Sequence, residues 1–214
     1  MPIYRRIIAH FYDRVMRGFE ANCLGSWRRE LLADVHGTVV EIGAGTGANL
    51  AHYPTSISRL IMCEPDQAMR AQLAKKHQLH HAPAEILDCA AENLSMPDES
   101  VDFLVATLVF CSVDRPERAT SEAFRVLKAG GCLIFLEHVA ATHQPWLFFW
   151  QGFWQPLWKR LSCNCHLRRA TADLLRQGGF ALDMRETRFP GAPGIVAPLI
   201  LGRALKPMPS GRKL

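Results

Sequence analysis

The stretch Val39-Val-Glu-Ile-Gly-Ala-Gly-Thr-Gly-Ala-Asn-Leu50 constrains this chain most. An apolar run carrying one acid, Glu41, turns through Gly43, Gly45 and Gly47 and reopens as a short helix. Strand, tight turn and helix in that order begin a βαβ unit of a parallel sheet. Glycines lack a Cβ, so the backbone there can approach a ligand closely. The spacing is G-x-G-x-G, whereas a dinucleotide fold has G-x-G-x-x-G with a pyrophosphate on the helix N-terminus. An acid beside the turn would repel a pyrophosphate and attract an ammonium group. The pattern therefore predicts a ligand with a cationic amino-acid end, which suits S-adenosylmethionine better than a nicotinamide dinucleotide. Glu64, 17 residues after Gly47 at the end of a second apolar run, is placed to accept hydrogen bonds from ribose hydroxyls.

The rest of the chain repeats the alternation of strand and helix. Apolar runs at 38–42, 60–63, 84–88, 102–107 and 132–137 read as five buried strands, with helices over 66–77, 116–127 and 168–177 between or after them. Lys128-Ala-Gly-Gly131 and Gly178-Gly179 stop two of the helices. Two last strands, near 180–188 and 195–203 and joined by the turn "FPGAPG", would form an antiparallel edge. Ile3, Ile7, Ile8, Phe11, Tyr12, Val15 and Phe19 recur at helical spacing ahead of the first strand. The expected fold is α/β: a Rossmann-like, seven-stranded, mostly parallel sheet with helices on both faces. One domain of 214 residues divides into a helical cap (1–34), a cofactor-binding core (35–138), an aromatic-rich acceptor lid (139–170), and a C-terminal helix with strands (171–214).

Charge is polarised. Arg5, Arg6, Arg14, Arg17, Arg28 and Arg29 face only Asp13 and Glu20 at the start, six acids and no base lie between Glu85 and Asp102, and Arg203, Lys206, Arg212 and Lys213 close the chain. Such a chain can turn a basic side to anionic lipid, and scattered solvated arginines explain it equally well. The seven cysteines are odd in number; Cys63, Cys111 and Cys132 sit in apolar runs, where a free thiol behaves as a small hydrophobe. Cys163-x-Cys165-His166 has no second pair at zinc spacing, so no metal is expected. Reduced thiols, no visible leader and no apolar run long enough to span a bilayer point to the cytoplasm.

Glu41-Ile-Gly-Ala-Gly-Thr-Gly47, Glu64-Pro65, Ala91-Glu92-Asn93-Leu94, Ser100-Val-Asp102 and Arg125–Gly131 occur in an order that resembles the class I S-adenosylmethionine-dependent methyltransferases over roughly 38–138. The resemblance implies that Gly43, Ala44, Gly45, Gly47 and Asn49 line the methionine part with Glu41 near its amino group, and that Glu64 and Pro65 hold the ribose. It further implies Ala91 and Glu92 beside the adenine, with Thr107, Leu108 and Cys111 lining the methyl-transfer side. Ala90 stands where many relatives carry Asp, which shifts adenine recognition to backbone amides and Glu92. A narrower resemblance, carried by Thr107–Val113, Glu137–Ala141, the four-residue Trp repeat and Cys165-His-Leu-x-Arg169, is to methyltransferase-like thiol S-methyltransferases. Those relatives begin with a hydrophobic anchor where this chain has an arginine-studded helix. The opening "RIIAHFYDRV" also looks like quinone and phospholipid methyltransferases, whose aromatic beside Asp lies over the cofactor cleft; Tyr12 is the candidate.

The expected reaction is methyl transfer to the sulfur of a small apolar thiol, with a phospholipid or quinone acceptor at a membrane surface as the alternative and a non-catalytic cofactor-binding protein as a third reading. A thiol must react as thiolate, and only a few percent is ionised at neutral pH. His138 is the first candidate base and His166 the second, and either can equally be a structural histidine. Trp146, Trp150, Trp154 and Trp158 step by four, drifting only ~40° each, so they share one helix face if Pro156 begins a second helical segment. Trp150, Trp154 and Arg169 with Tyr12 are the candidate acceptor contacts. The remaining rings, flanked by Lys159 and Arg160, are candidates for peripheral membrane contact. No motif for nucleic-acid methylation follows the fourth strand. Oligomeric state is not written in the sequence.

Overall fold

The computed structural model describes residues 3–78 and 84–209, with side chains from Ala9 onward. The side chains of Ile3, Ile7, Ile8, Arg5 and Arg6, and all of Arg212 and Lys213, lie outside the described residues. The strands are β1 (Gly37–Ile42), β2 (Ile57–Cys63), β3 (Ala84–Leu87), β4 (Val101–Thr107), β5 (Leu127–His138), β6 (Ala181–Arg188) and β7 (Pro198–Leu205). The helices are α1 (Ile3–Phe19), α2 (Gly25–Leu32), α3 (Gln67–His77), α4 (Pro116–Val126), α5 (Pro145–Leu161) and α6 (Thr171–Gln177). They build a seven-stranded sheet in the order β3-β2-β1-β4-β5-β7-β6. The first five strands run parallel; β7 pairs antiparallel with both β5 and β6.

Alternation along each central strand splits the core into two layers. Val40, Ile42, Leu104, Ala106, Leu133 and Phe135 pack with Ala119 and Ala123 of α4 and Leu175 of α6. Val39, Val105, Ile134 and Leu136 pack on the opposite face with Leu24, Leu31, Leu32 and Leu73. Period-two burial on both faces is what a strand covered by helices on each side requires. Asp66 caps α3 through hydrogen bonds from the Ala68 and Met69 N–H groups. The chain order reverses between β1 and β4, so the carboxyl ends of these neighbours form the crevice where α/β sheets bind ligands.

Three local expectations are corrected. β5 starts at Leu127, directly after α4, rather than at Cys132, and a register irregularity between Val101 and Phe103 with Gly130 at φ +77° absorbs the Gly pair inside the strand. Helix α5 runs unbroken through Pro156. Proline clashes with the carbonyl four residues earlier and removes a helix hydrogen bond. That residue is Gly152, and an added Cβ there would lie 2.1 Å from the Arg168 guanidinium. Arg168 fills this space and donates to the Phe148 carbonyl from Nε at 3.0 Å and Nη2 at 2.7 Å. Finally, Cys63 is not a free thiol: it forms a disulfide with Cys89, tying the end of β2 to the segment before Ala91. Cys23, Cys111, Cys132 and Cys165 keep free thiols.

Candidate active site

The glycine turn lies at the carboxyl end of β1 with Gly43, Gly45 and Gly47 all at positive φ. Two of them are filled in by the fold: an added Cβ would meet Val109 at 2.7 Å from Gly43, and Leu73 at 2.7 Å from Gly47. Gly45 differs. Its φ is +58°, yet a Cβ there would meet nothing nearer than the Gly43 carbonyl oxygen at 4.0 Å. The backbone at Gly45 therefore offers an open face to a ligand. Its N–H donates to Glu64 Oε2 at 2.8 Å, and the Asp66 N–H donates to Glu64 Oε1 at 2.8 Å. Each carboxylate oxygen keeps a further lone pair, so Glu64 can accept from vicinal hydroxyls while remaining pinned. Burial pushes its pKa up against these two N–H donors.

Beneath the turn lies a buried polar network. Asn49 Nδ2 donates to Glu41 Oε1 at 2.9 Å, and the Tyr53 hydroxyl donates to Glu41 Oε2 at 2.8 Å. Burial pushes the Glu41 carboxyl up to about 7, against those two donors. Arg28 Nη1 donates to Asn49 Oδ1 and to Thr107 Oγ1, each at 2.8 Å, while its Nη2 pairs with Glu20 at 3.1 Å. Thr107 also accepts from Asn49 Nδ2 at 3.0 Å. Both of its lone pairs are thus occupied, and its own O–H is left to donate. Glu41, Asn49 and Thr107 were expected here. Arg28 was read only as surface charge, yet it is buried. Its signal was present: Leu24, Arg28, Leu31 and Leu32 follow the spacing of one helix face, so the arginine interrupts an apolar stripe. The π-helical turn Glu20–Leu24 brings Glu20 to the same guanidinium.

Helix α1 crosses this end of the sheet. Asp13 accepts from the Thr46 hydroxyl inside the glycine turn and pairs with Lys76 of α3 at 2.7 Å. Tyr12, one residue earlier, has an enclosed hydroxyl: its pKa is raised chiefly by burial, with Cys163, Arg28, Cys111 and Glu20 close enough to act on it electrostatically. The residue as a whole is half-exposed, and its hydroxyl end is the enclosed part. On the far side, Leu108 takes φ +61° directly after β4. Glu137, buried in β5, holds the following turn by accepting from the N–H groups of Val109 and Phe110 at 2.9 and 3.0 Å and of Cys111 at 3.2 Å. Burial still drives its carboxyl well above the usual range. Glu137 was missed as a site residue because its role is to aim a backbone, which no residue pattern announces.

Other expected contacts land differently. Glu92 uses Oε1 to accept from the N–H groups of Asp114 and Arg115 in the loop just before α4, so its carboxylate already holds that loop; Ala91 beside it is buried and Pro65 exposed. His138 is buried with Nε2 3.3 Å from the Ile195 carbonyl and Nδ1 3.9 Å from Cys165 Sγ, and burial lowers its pKa to about 4. Both ring nitrogens already face protein atoms. His166 and Arg169 come together in a separate cleft of about 500 Å³ walled by α4, α5 and α6, where His166 Nε2 and Arg169 Nε are buried without hydrogen-bond partners. Trp150 and Trp154 join Trp146 and Trp158 in an apolar groove of about 620 Å³ against Pro193, Gly194 and Ile195. No tryptophan in α5 is buried; Gln151 is the buried residue, bonded to the Ala141 N–H at 2.8 Å. Among the described residues, no group of three His, Cys, Asp or Glu side chains can hold a metal ion.

An open glycine face, a pinned hydroxyl acceptor and a buried carboxylate beneath fit the three parts of S-adenosylmethionine: backbone approach, ribose and ammonium. A family model described as "Methyltransferase domain" matches residues 40–135. The human thiol S-methyltransferase TMT1A is 35% identical over 79% of this chain and 70% of its own length. The human TMT1B is 33% identical over 85% of this chain and 79% of its own. Among solved structures, a possible histamine N-methyltransferase from Thermotoga maritima is 25% identical, with a TM-score of 0.65, covering 94% of this chain and 98% of its own. The sheet order, the glycine turn and these likenesses agree: the chain belongs to the class I S-adenosylmethionine-dependent methyltransferases.

Proposed function

We propose that this enzyme methylates the sulfur of a small apolar thiol. One observation carries the reading. The likeness to the human thiol S-methyltransferases spans 173 and 193 residues, more than the 96 residues (135 − 40 + 1) of the matched methyltransferase domain. It therefore extends beyond the cofactor half into the elements that must bind an acceptor.

When bound, S-adenosylmethionine supplies a methyl on a cationic sulfur whose departure needs no general acid. In this reading Glu41 faces the ammonium group, Glu64 the ribose, and Ala91 with the Glu92 backbone the adenine. Thr107, Leu108, Cys111 and Tyr12 border the acceptor. Catalysis is then largely positioning and exclusion of water. A thiol with a pKa near ~8.5 reacts through its ionised fraction. His138, with a pKa of about 4, is a poor acceptor for that proton: the transfer is uphill by roughly 6 kcal/mol at ~1.36 kcal/mol per pKa unit. His166 lies in the cleft with Arg169 instead. The thiol accordingly loses its proton to solvent before attack, and neither histidine is a general base. Incubation with S-adenosylmethionine and hydrogen sulfide, alkyl thiols, an aryl thiol, a phospholipid amine and a quinol tests the reading. A methyl thioether is expected, and methylation confined to the amine or quinol overturns it.

The outer face of α5 supports a second contact. Trp146 is 72% exposed and Phe153 62%, with Phe149, Leu157 and Leu161 beside them and Lys159 and Arg160 in the last turn. Aromatic rings next to basic residues suit the headgroup layer of an anionic bilayer. No described helix is long and apolar enough to cross one. Co-sedimentation with anionic vesicles, reduced in Trp146→Ser/Phe153→Ser, is the expected outcome; an unchanged bound fraction refutes it.

A further inference from the structure

Between the cofactor crevice and α5, two loops bring two thiols together. Cys111 follows β4; Cys165 lies between α5 and α6. The loops are joined by the His166 N–H donating to the Cys111 carbonyl at 2.7 Å and by Asn164 Nδ2 donating to Ser112 O and, at 3.0 Å, to Asp114 Oδ1. The loop bearing Cys165 is bent by two successive left-handed residues, Cys163 at φ +47° and Asn164 at φ +68°. Left-handed non-glycine residues are strained and persist where surrounding bonds hold them. The His166 N–H bond to the Cys111 carbonyl sets the neighbouring Cys165 beside Cys111, close enough for the two thiols to act on each other's ionisation; Cys111 Sγ also lies 3.5 Å from Ser112 Oγ and Cys165 Sγ 3.9 Å from His138 Nδ1. Cys111 is buried, while Cys165 is partly accessible. Arg169 acts on Cys165 electrostatically. The two thiols differ in character: contact with the Cys111 S–H lowers the Cys165 pKa, while the same contact and burial raise that of Cys111.

We propose that Cys165 and Cys111 form a redox-active dithiol that exchanges with low-molecular-weight disulfides, Cys165 attacking and Cys111 resolving. The Cys165 thiolate, its proton lost to solvent, attacks one sulfur of a disulfide RSSR. That S–S bond breaks, a Cys165–S–S–R bond forms, and RS⁻ leaves and takes a proton from solvent. Cys111 then attacks Cys165 Sγ, its proton leaving with the second thiolate. The dithiol is oxidised to one internal disulfide, and RSSR is reduced to two RSH. Accessibility decides the order, because only Cys165 can be reached first. The exchange does not depend on the methyl acceptor. Its products belong to the class proposed above as acceptors, and only that link rests on the thiol reading.

The test uses the full chain without S-adenosylmethionine, treated with 2-hydroxyethyl disulfide at pH 7.5 and mapped by mass spectrometry. Wild-type protein is expected to lose two hydrogens and yield a Cys111–Cys165 cross-linked peptide, with Cys165 consumed at least about tenfold faster than the exposed Cys163. Cys111→Ser should instead accumulate one mixed disulfide on Cys165, and Cys165→Ser should leave Cys111 a thiol. Wild-type mapping needs no variant and so stands if either fails to fold. Adducts confined to Cys163, with Cys111 and Cys165 still open to alkylation, overturn the proposal. Methylation is assayed on a separate, untreated sample, so failure of the exchange and failure of the thiol reading are distinguished.

Discussion

Glu41→Gln should make this enzyme more stable and less able to bind its cofactor. The carboxyl is buried, and its pKa rises from 4.5 to about 7 because burial outweighs the Tyr53 and Asn49 hydrogen bonds. Its folded form therefore holds a proton that the unfolded chain releases. Between pH 4.5 and about 7 the folded state binds more protons, so stability falls as pH rises through that window and is flat above it. At ~1.36 kcal/mol per pKa unit, the ionised carboxylate costs roughly 3 kcal/mol at pH 8. Glutamine keeps the shape, accepts from Asn49, and never ionises. Urea unfolding at pH 8 should show Glu41→Gln more stable by roughly 2–3 kcal/mol, equivalent to about 5–10 °C in Tm for a chain this long. At pH 5 the gain should shrink below about 1 kcal/mol. Calorimetric titration with S-adenosylmethionine should show the affinity weakened on the order of a hundredfold, as loss of a charged partner would. A gain equal at pH 5 and pH 8, or a loss at pH 8, would refute the burial argument.

Gly45→Ala should keep the fold, since its Cβ enters open space and costs about 1 kcal/mol of left-handed strain, yet weaken cofactor binding on the order of tenfold or more by calorimetry. Arg28→Lys cannot bridge Asn49, Thr107 and Glu20 at once, and chemical denaturation should register a loss of roughly 2 kcal/mol. Glu137→Gln sets an amide against three backbone donors and should lower stability by roughly 2–3 kcal/mol, seen as a drop in Tm. Methylation of an alkyl thiol at low thiol concentration should rise about tenfold per pH unit below the thiol's own pKa. His138→Asn and His166→Asn should leave that pH profile unmoved, with rates within about threefold of wild type.

The parts legible in the sequence are those written in local spacing. Gly43, Gly45 and Gly47 after a strand, Glu64 at the next strand's end and the paired C-terminal strands all depend on neighbours a few residues away, and the sheet places them as read. What escaped depends on partners far along the chain. Arg28 meets Thr107 across 79 residues, and only its place in an apolar stripe betrayed it. The Cys63–Cys89 bond joins two elements separated by 26 residues whose pairing is set by the sheet. Pro156 should have split α5, yet the helix runs unbroken through it, with Arg168 from a later loop packed over Gly152 and bonded to the Phe148 carbonyl, a contact visible only in three dimensions. The tryptophan repeat was read as one helix face, and Trp146, Trp150, Trp154 and Trp158 do share one groove; its far wall, Pro193–Ile195, comes from a segment more than thirty residues on that no local spacing could name.

The most direct test of the central claim is mass spectrometry of the product formed from S-adenosylmethionine and a short alkyl thiol by the wild-type enzyme, with Gly45→Ala as the matched control. Wild-type protein should give a methyl thioether and the control little. A folded enzyme that binds S-adenosylmethionine, methylates the phospholipid amine or quinol, and leaves every thiol unmodified would contradict it.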